Sequence, residues 1–213
     1  IFNSYLRNKN ISLENETKIT FIPFLHIKTA FEIEEFNYEI LKKINFSKLV
    51  KHKNIIKKIN SKNTIIYKPK NFSKNFVDDL NLKVNLEYGR LSYKKNFLIK
   101  KNLVKCEGDL NILEDYPLLF FDCSILINDK KKLFKKFLIN IKSSNGALEL
   151  KAKGNLNILN NKINFDRIFL NEKKLPKEDL KYLKNSFETI LFDESFFEIF
   201  EIKKIKNYIL EII

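Results

Sequence analysis

The chain has 213 residues, of which 37 are Lys, 29 Ile, 27 Asn and 20 Phe, against 3 Arg, 4 Gly, 4 Pro, 2 Cys, 2 His and neither Met nor Trp. An apolar share of 44% excludes a disordered chain, low Gly and Pro exclude collagen-like or linker sequence, and two cysteines exclude a disulfide scaffold. The net charge of +14 points toward polyanions, but lysine carries nearly all of it, and arginine supplies the forks that clamp phosphate and read guanine.

Lys, Asn, Ile and Phe share A/T-rich codons, so an AT-rich genome and a solvated lysine face account for most of the charge. Contact with anionic lipid headgroups is the next reading, and nucleic-acid binding stands behind it. The length suits one domain or one elongated layered unit. A chain that opens Ile1-Phe2-Asn3 and lacks Met reads as a fragment of a longer protein, with its membrane anchor or signal expected upstream.

Period-two alternation, the mark of strands with one apolar face, dominates the chain. In chain order, strands are expected over Ile19–Ile27 and Ala30–Tyr38. A short helix is expected within Ser47–Ile59, from the spacing of Leu49, Val50, Ile55, Ile56 and Ile59. A strand follows over Asn63–Tyr67. Then Leu80, Leu82, Val84, Leu86 and Tyr88 alternate with Asn81, Lys83, Asn85 and Glu87. Shorter strands are expected over Arg90–Tyr93 and Phe97–Ile99, and a longer one over Leu103–Ile112, with Val104, Cys106, Leu110 and Ile112 on the apolar parity. Leu119, Phe121, Cys123, Ile125 and Ile127 form the next apolar face. Phe137, Ile139 and Ile141 form another, then Leu148, Leu150 and Ala152, and the last strand covers Ile163–Leu170.

Turn signals fall at Tyr88-Gly89-Arg90, Asn128-Asp129-Lys130, Asn145-Gly146 and Asn160-Asn161, where Asn and Gly tolerate positive φ. Residues Lys105–Leu113 also resemble Lys151–Leu159, a faint repeat with glycines at 108 and 154.

The C-terminal end changes period. Pro176 suits a first helical turn, with Glu178 and Asp179 at its positive end. Leu180, Leu183, Phe187, Ile190 and Leu191 make a helical stripe. A second helix, capped by Asp193 or Ser195, carries Phe196, Ile199, Phe200, Ile205, Tyr208, Ile209 and Ile212. The expected fold is mainly β: an elongated, curved antiparallel sheet, a groove or half-barrel, with two C-terminal α-helices. Residues 1–62 are expected to continue an upstream sheet, 63–172 to form a repetitive sheet, and 173–213 a helical cap.

Candidate chemistry is sparse. His26 lies among apolar neighbours and His52 in a lysine run, neither beside a nucleophile. Cys106 and Cys123 are 17 positions apart with no His or Cys nearby, so zinc is not expected. They read as buried small side chains, with a cross-strand disulfide as the alternative. The acidic pairs Glu34-Glu35, Asp78-Asp79, Glu114-Asp115 and Asp193-Glu194 read as turn and cap residues, because strand neighbours point to opposite faces. No cofactor or metal is expected, and no catalysis. The functional candidates are therefore the apolar strand positions themselves, facing either an ordinary core or acyl chains.

The run Val77–Leu91, the Cys-Glu-Gly-Asp-Leu segment Cys106–Leu110 and the Asp115–Cys123 strand resemble the C-terminal region of the AsmA family. So does Lys177–Leu180 with the closing Phe200–Ile213 helix, in the AT-rich alphaproteobacterial type. The resemblance covers roughly residues 64–213. It implies an envelope protein anchored in the inner membrane by an upstream segment, with a groove-shaped periplasmic sheet that handles phospholipid during outer-membrane biogenesis, and outer-membrane protein as a further partner. The alternatives are a ligand-free structural or interaction β-domain of an envelope or phage protein, and a basic nucleic-acid-binding protein.

Overall fold

A computed structural model describes residues 1–8, 11–23, 25–37, 51–69, 77–99, 101–137, 139, 146–191 and 201–212. The strands are β1 (Phe2–Arg7), β2 (Ile11–Thr20), β3 (His26–Phe36), β4 (Asn60–Tyr67), β5 (Asp79–Glu87), β6 (Arg90–Ile99), β7 (Asn102–Asn111), β8 (Leu118–Ile127), β9 (Leu148–Asn157), β10 (Lys162–Leu170) and β11 (Lys173–Lys174). The helices are α1 (Lys53–Ile56), α2 (Lys130–Lys136), α3 (Lys177–Leu191) and α4 (Ile202–Ile212).

Among the described residues, eleven strands join one open sheet in strict sequence order. The protein is mainly β with two C-terminal helices, as expected. One pairing departs from the antiparallel expectation: β3 and β4 run parallel, from His26↔Asn60 to Ile33↔Tyr67. Parallel neighbours need a long crossover, and residues 37–59, which carry α1, provide it. The expected boundary at 62/63 falls inside β4.

Local chemistry explains the elements. Glu87 pairs with Arg90 across Tyr88-Gly89, both at positive φ (49° and 83°), so β5 and β6 meet in a tight hairpin. Asn171 and Glu172, at 46° and 67°, do the same between β10 and β11. The Ile19–Ile27 expectation fails because Phe21–Pro23 connects β2 to β3, and Pro23 has no N–H for a ladder. Arg90–Tyr93 and Phe97–Ile99 are one continuous strand. Phe137 and Ile139 do not lie on a strand: they follow α2, whose Phe134 carbonyl accepts both of their N–H groups at 3.0 Å.

The faint repeat is a structural one. Asn111 Oδ1 accepts the Leu113 N–H at 3.2 Å, and Asn157 Oδ1 accepts the Leu159 N–H at 3.0 Å, so each copy ends in the same side-chain turn. Leu110, Ile112, Leu156 and Ile158 all enter one buried cluster with Ile56 and Ile163, against which Phe187 of α3 packs. A second cluster joins Ile99 and Ile127 to Leu133, Phe137 and Ile139, with Ile205 and Ile209 of α4 against it.

Candidate functional site: the apolar face of the sheet

The register assigns a face to every strand residue. Leu80, Leu82, Val84 and Leu86 of β5 oppose Phe97, Lys95, Tyr93 and Leu91 of β6. The same face continues through Val104, Cys106 and Leu110 of β7, then Leu119, Phe121, Cys123, Ile125 and Ile127 of β8, then Leu148, Leu150 and Ala152 of β9. In the other direction it continues through Ile65 and Tyr67 of β4 into Phe31 and Ile33 of β3. The opposite face carries Lys83, Lys94, Lys105, Glu107, Asp122, Lys151 and Lys153, with exposed ion pairs such as Lys94–Glu107 at 2.8 Å.

The candidate positions thus share one surface, apart from three. Phe137 and Ile139 are buried above it, off the sheet, and Ile141 lies outside the described residues. Val104, Cys106, Leu110, Ile112 and Ile127 are buried. Leu80, Leu82, Val84, Leu86, Leu119, Phe121, Cys123, Ile125, Leu148, Leu150 and Ala152 are half-buried. α1 to α4 and the segment after α2 cover this face over β6–β10 and the Leu86 end of β5, where the two clusters lie, and Leu80, Leu82, Val84 and Lys95 enter neither cluster. Among the described residues, neither cluster includes a side chain of β1–β4. There Phe2 and Leu6 are 64% and 48% exposed, and Phe31, Ile33, Ile65 and Tyr67 are half-buried.

Four rings tie the helices to the sheet. Phe121 meets Phe165 at 6.0 Å, Phe165 meets Phe187 at 5.8 Å, and Phe187 meets Tyr208 at 5.5 Å, each edge to face. Burial there pushes the Tyr208 phenol up to about 12. Glu188 of α3 accepts from Lys162 Nζ at 2.9 Å and from the Ile163 N–H at 3.0 Å, seating the helix on the start of β10.

Cys106 and Cys123 stand directly opposite each other, with Cα atoms 4.1 Å apart, and form a disulfide. The alternative reading of the pair is the one the fold adopts. Both residues also occupy the apolar parity of their strands, Cys106 buried and Cys123 half-buried.

Two of the acidic pairs hold turns, whereas Glu34-Glu35 departs from that expectation: it lies within β3, where Glu34 Oε2 accepts from the Ser12 hydroxyl at 3.4 Å. Asp78 Oδ2 accepts the Lys101 N–H at 3.2 Å, and Asp115 binds Lys53 Nζ at 3.0 Å, pinning α1 to the β7–β8 connection. Asp193-Glu194 lies outside the described residues. His26 is half-buried and His52 exposed. Among the described residues, no cluster of three or more His, Cys, Asp or Glu is placed to hold a metal ion.

Sequence reasoning missed Lys95. It occupies the apolar parity, half-buried, with its ammonium 5.4 Å from the Phe97 ring centroid. Desolvation lowers its pKa below the usual lysine value. The signal was in the sequence: Leu91, Tyr93, Phe97 and Ile99 keep one parity, and the lysine at 95 is what made the run look like two strands.

No protein family, curated protein or solved structure matches the chain.

Proposed function

We propose that this chain is a non-enzymatic lipid-handling segment of a bacterial envelope protein, whose apolar sheet face holds phospholipid acyl chains as they pass between the inner and outer membranes. The observation that carries the reading is a mostly apolar face, interrupted by Lys95 of β6, Asn63 of β4 and Asn15 of β2, across an open, sequentially ordered sheet, half-buried at Phe31, Ile33, Ile65 and Tyr67 and exposed at Phe2 and Leu6. A soluble domain rarely leaves a large apolar patch without a ligand or partner for it. The mechanism is passive: a chain slides along non-directional contacts, and no bond is made or broken.

The Cys106–Cys123 disulfide supports an oxidising compartment such as the periplasm. The resemblance of residues 64–213 to the AsmA C-terminal region supports the same placement, with the inner-membrane anchor in an upstream segment. No described helix is long and apolar enough to cross a membrane.

The second reading is a ligand-free structural β-domain, and the two packed clusters over β5–β10 favour it. Native mass spectrometry and organic extraction of the purified chain separate the two. Copurified phospholipid supports lipid handling. A lipid-free protein that also takes up none from vesicles assigns the sheet to a structural role.

A further inference from the structure

Every strand from β4 to β9 carries charged residues or alternates with them, yet among the described residues Lys95 alone brings a charge to the apolar face of those strands. Its cross-strand neighbours are Leu82 and Cys106, and Tyr93 and Phe97 flank it along β6. No carboxylate answers the ammonium among the described residues, and its described contact is the Phe97 ring. A desolvated cation without a counter-ion is costly, and in a chain with 37 lysines the usual solution is to turn the side chain to water. Tyr93 lies two residues away on the same face. Burial, then the charge of Asp109, pushes its phenol up to about 12, so it remains a donor at neutral pH.

The position of Lys95 is also particular. On one side its row runs through Cys106, Cys123 and Ala152 into the part of the sheet that the helices cover. On the other side it runs through Leu82, Ile65 and Phe31, all half-buried and apolar. With strands about 4.8 Å apart, the three steps from β6 to β3 span about 14 Å, room for the greater part of an extended long acyl chain, and Asn15 of β2 ends the apolar row.

We propose that Lys95 and Tyr93 form a headgroup site that binds the phosphate of a net-anionic phospholipid, with an acyl chain lying across Leu82, Ile65 and Phe31. This rests on the lipid-handling reading and adds to it a headgroup preference and a direction for the chain. The lysine supplies the counter-charge to the phosphate, and the phenol donates a second hydrogen bond. A zwitterionic headgroup brings its own ammonium toward Lys95 and is disfavoured by like-charge repulsion.

The test is uptake by the full 213-residue chain of phosphatidylglycerol, of phosphatidylcholine with the same acyl chains, and of oleate, each followed by native mass spectrometry. Phosphatidylglycerol is expected to bind about tenfold more tightly than phosphatidylcholine, since both offer the phosphate but only phosphatidylcholine sets a cation against Lys95. Lys95→Met should erase that preference, and Lys95→Arg should keep it. Thermal melts of both variants check folding, and the wild-type comparison stands if either fails to fold. Equal binding of the two phospholipids, or a preference that survives Lys95→Met, overturns the headgroup site and leaves the groove intact. A Lys95-dependent preference for oleate over phosphatidylglycerol reassigns the site to a fatty carboxylate and overturns the phosphate. Uptake of none of the three removes the lipid-handling reading and the headgroup site together.

Discussion

Gly108 and Gly154 stand 46 positions apart and do the same job. A Cβ on Gly108 would run into the carbonyl oxygen of Phe120, and one on Gly154 into that of Asn164. Gly154 also lies in register between Phe121 and Phe165, whose rings meet over the space that it leaves. Backbone oxygens do not swing aside as side chains do. We therefore expect Gly108→Ala and Gly154→Ala each to cost about 1–3 kcal/mol in urea unfolding, the range for overpacked sites. Lys95 is the other residue of consequence. Its pKa is lowered in the folded state, so the unfolded chain binds the proton more readily in the window between that lowered value and 10.5. Stability therefore rises with pH across that window as Lys95 loses its charge, and the cost is greatest below it. Lys95→Met should melt higher than wild type at pH 7, and the gap should close as pH approaches 10.5. A variant that gains stability while losing anionic-lipid preference marks a position kept for function.

At the level of elements, the Cys106–Cys123 bridge links two strands that already pair. Closing a loop with a sequence separation of 17 removes chain entropy worth about 3 kcal/mol from the unfolded state. Reduction, or Cys106→Ser with Cys123→Ser, should lower the melting temperature by about 6–12 °C for a chain of this size. Intact mass under denaturing, non-reducing conditions checks that the bridge forms. The strands with clean alternation, β5 and β7–β9, were legible because each keeps its apolar parity over several residues, whereas in β10 a bulge between Phe165 and Arg167 moves the apolar parity from Ile163 and Phe165 to Ile168 and Leu170. β1 and the start of β2 were not, since Phe2–Arg7 and Ile11–Thr20 mix polar residues onto both faces. Helix α2 was not legible either, because Lys130–Lys136 holds too few turns for a helical period to show beside the alternation that follows.

Across the whole molecule, the two edges of the sheet differ. β11 is two lysines long, a short charged edge that discourages pairing. β1 is six residues long and exposed at every position, with Phe2, Tyr5 and Leu6 64%, 57% and 48% accessible. The Asn8 N–H donates to the Ile11 carbonyl at 2.9 Å, and alternation along the hairpin then turns the Tyr5 N–H away from β2. We expect the isolated chain to self-associate through β1 as concentration rises, and Tyr5→Pro to abolish this in sedimentation experiments without disturbing the β1–β2 ladder.

The sequence by itself determined that this protein is a sheet with one greasy face, because strand period and face assignment are local properties of alternating residues. It also determined the helical C-terminal stripe and the turns where Gly or Asn tolerates positive φ. Only the tertiary structure decided which strands became neighbours. Neighbour relations made β3 and β4 parallel and brought Cys106 against Cys123. They also set the helices over β5–β10 and left Lys95 at the margin of the covered region. Those outcomes depend on which distant surfaces meet, and no run of adjacent residues encodes such a meeting.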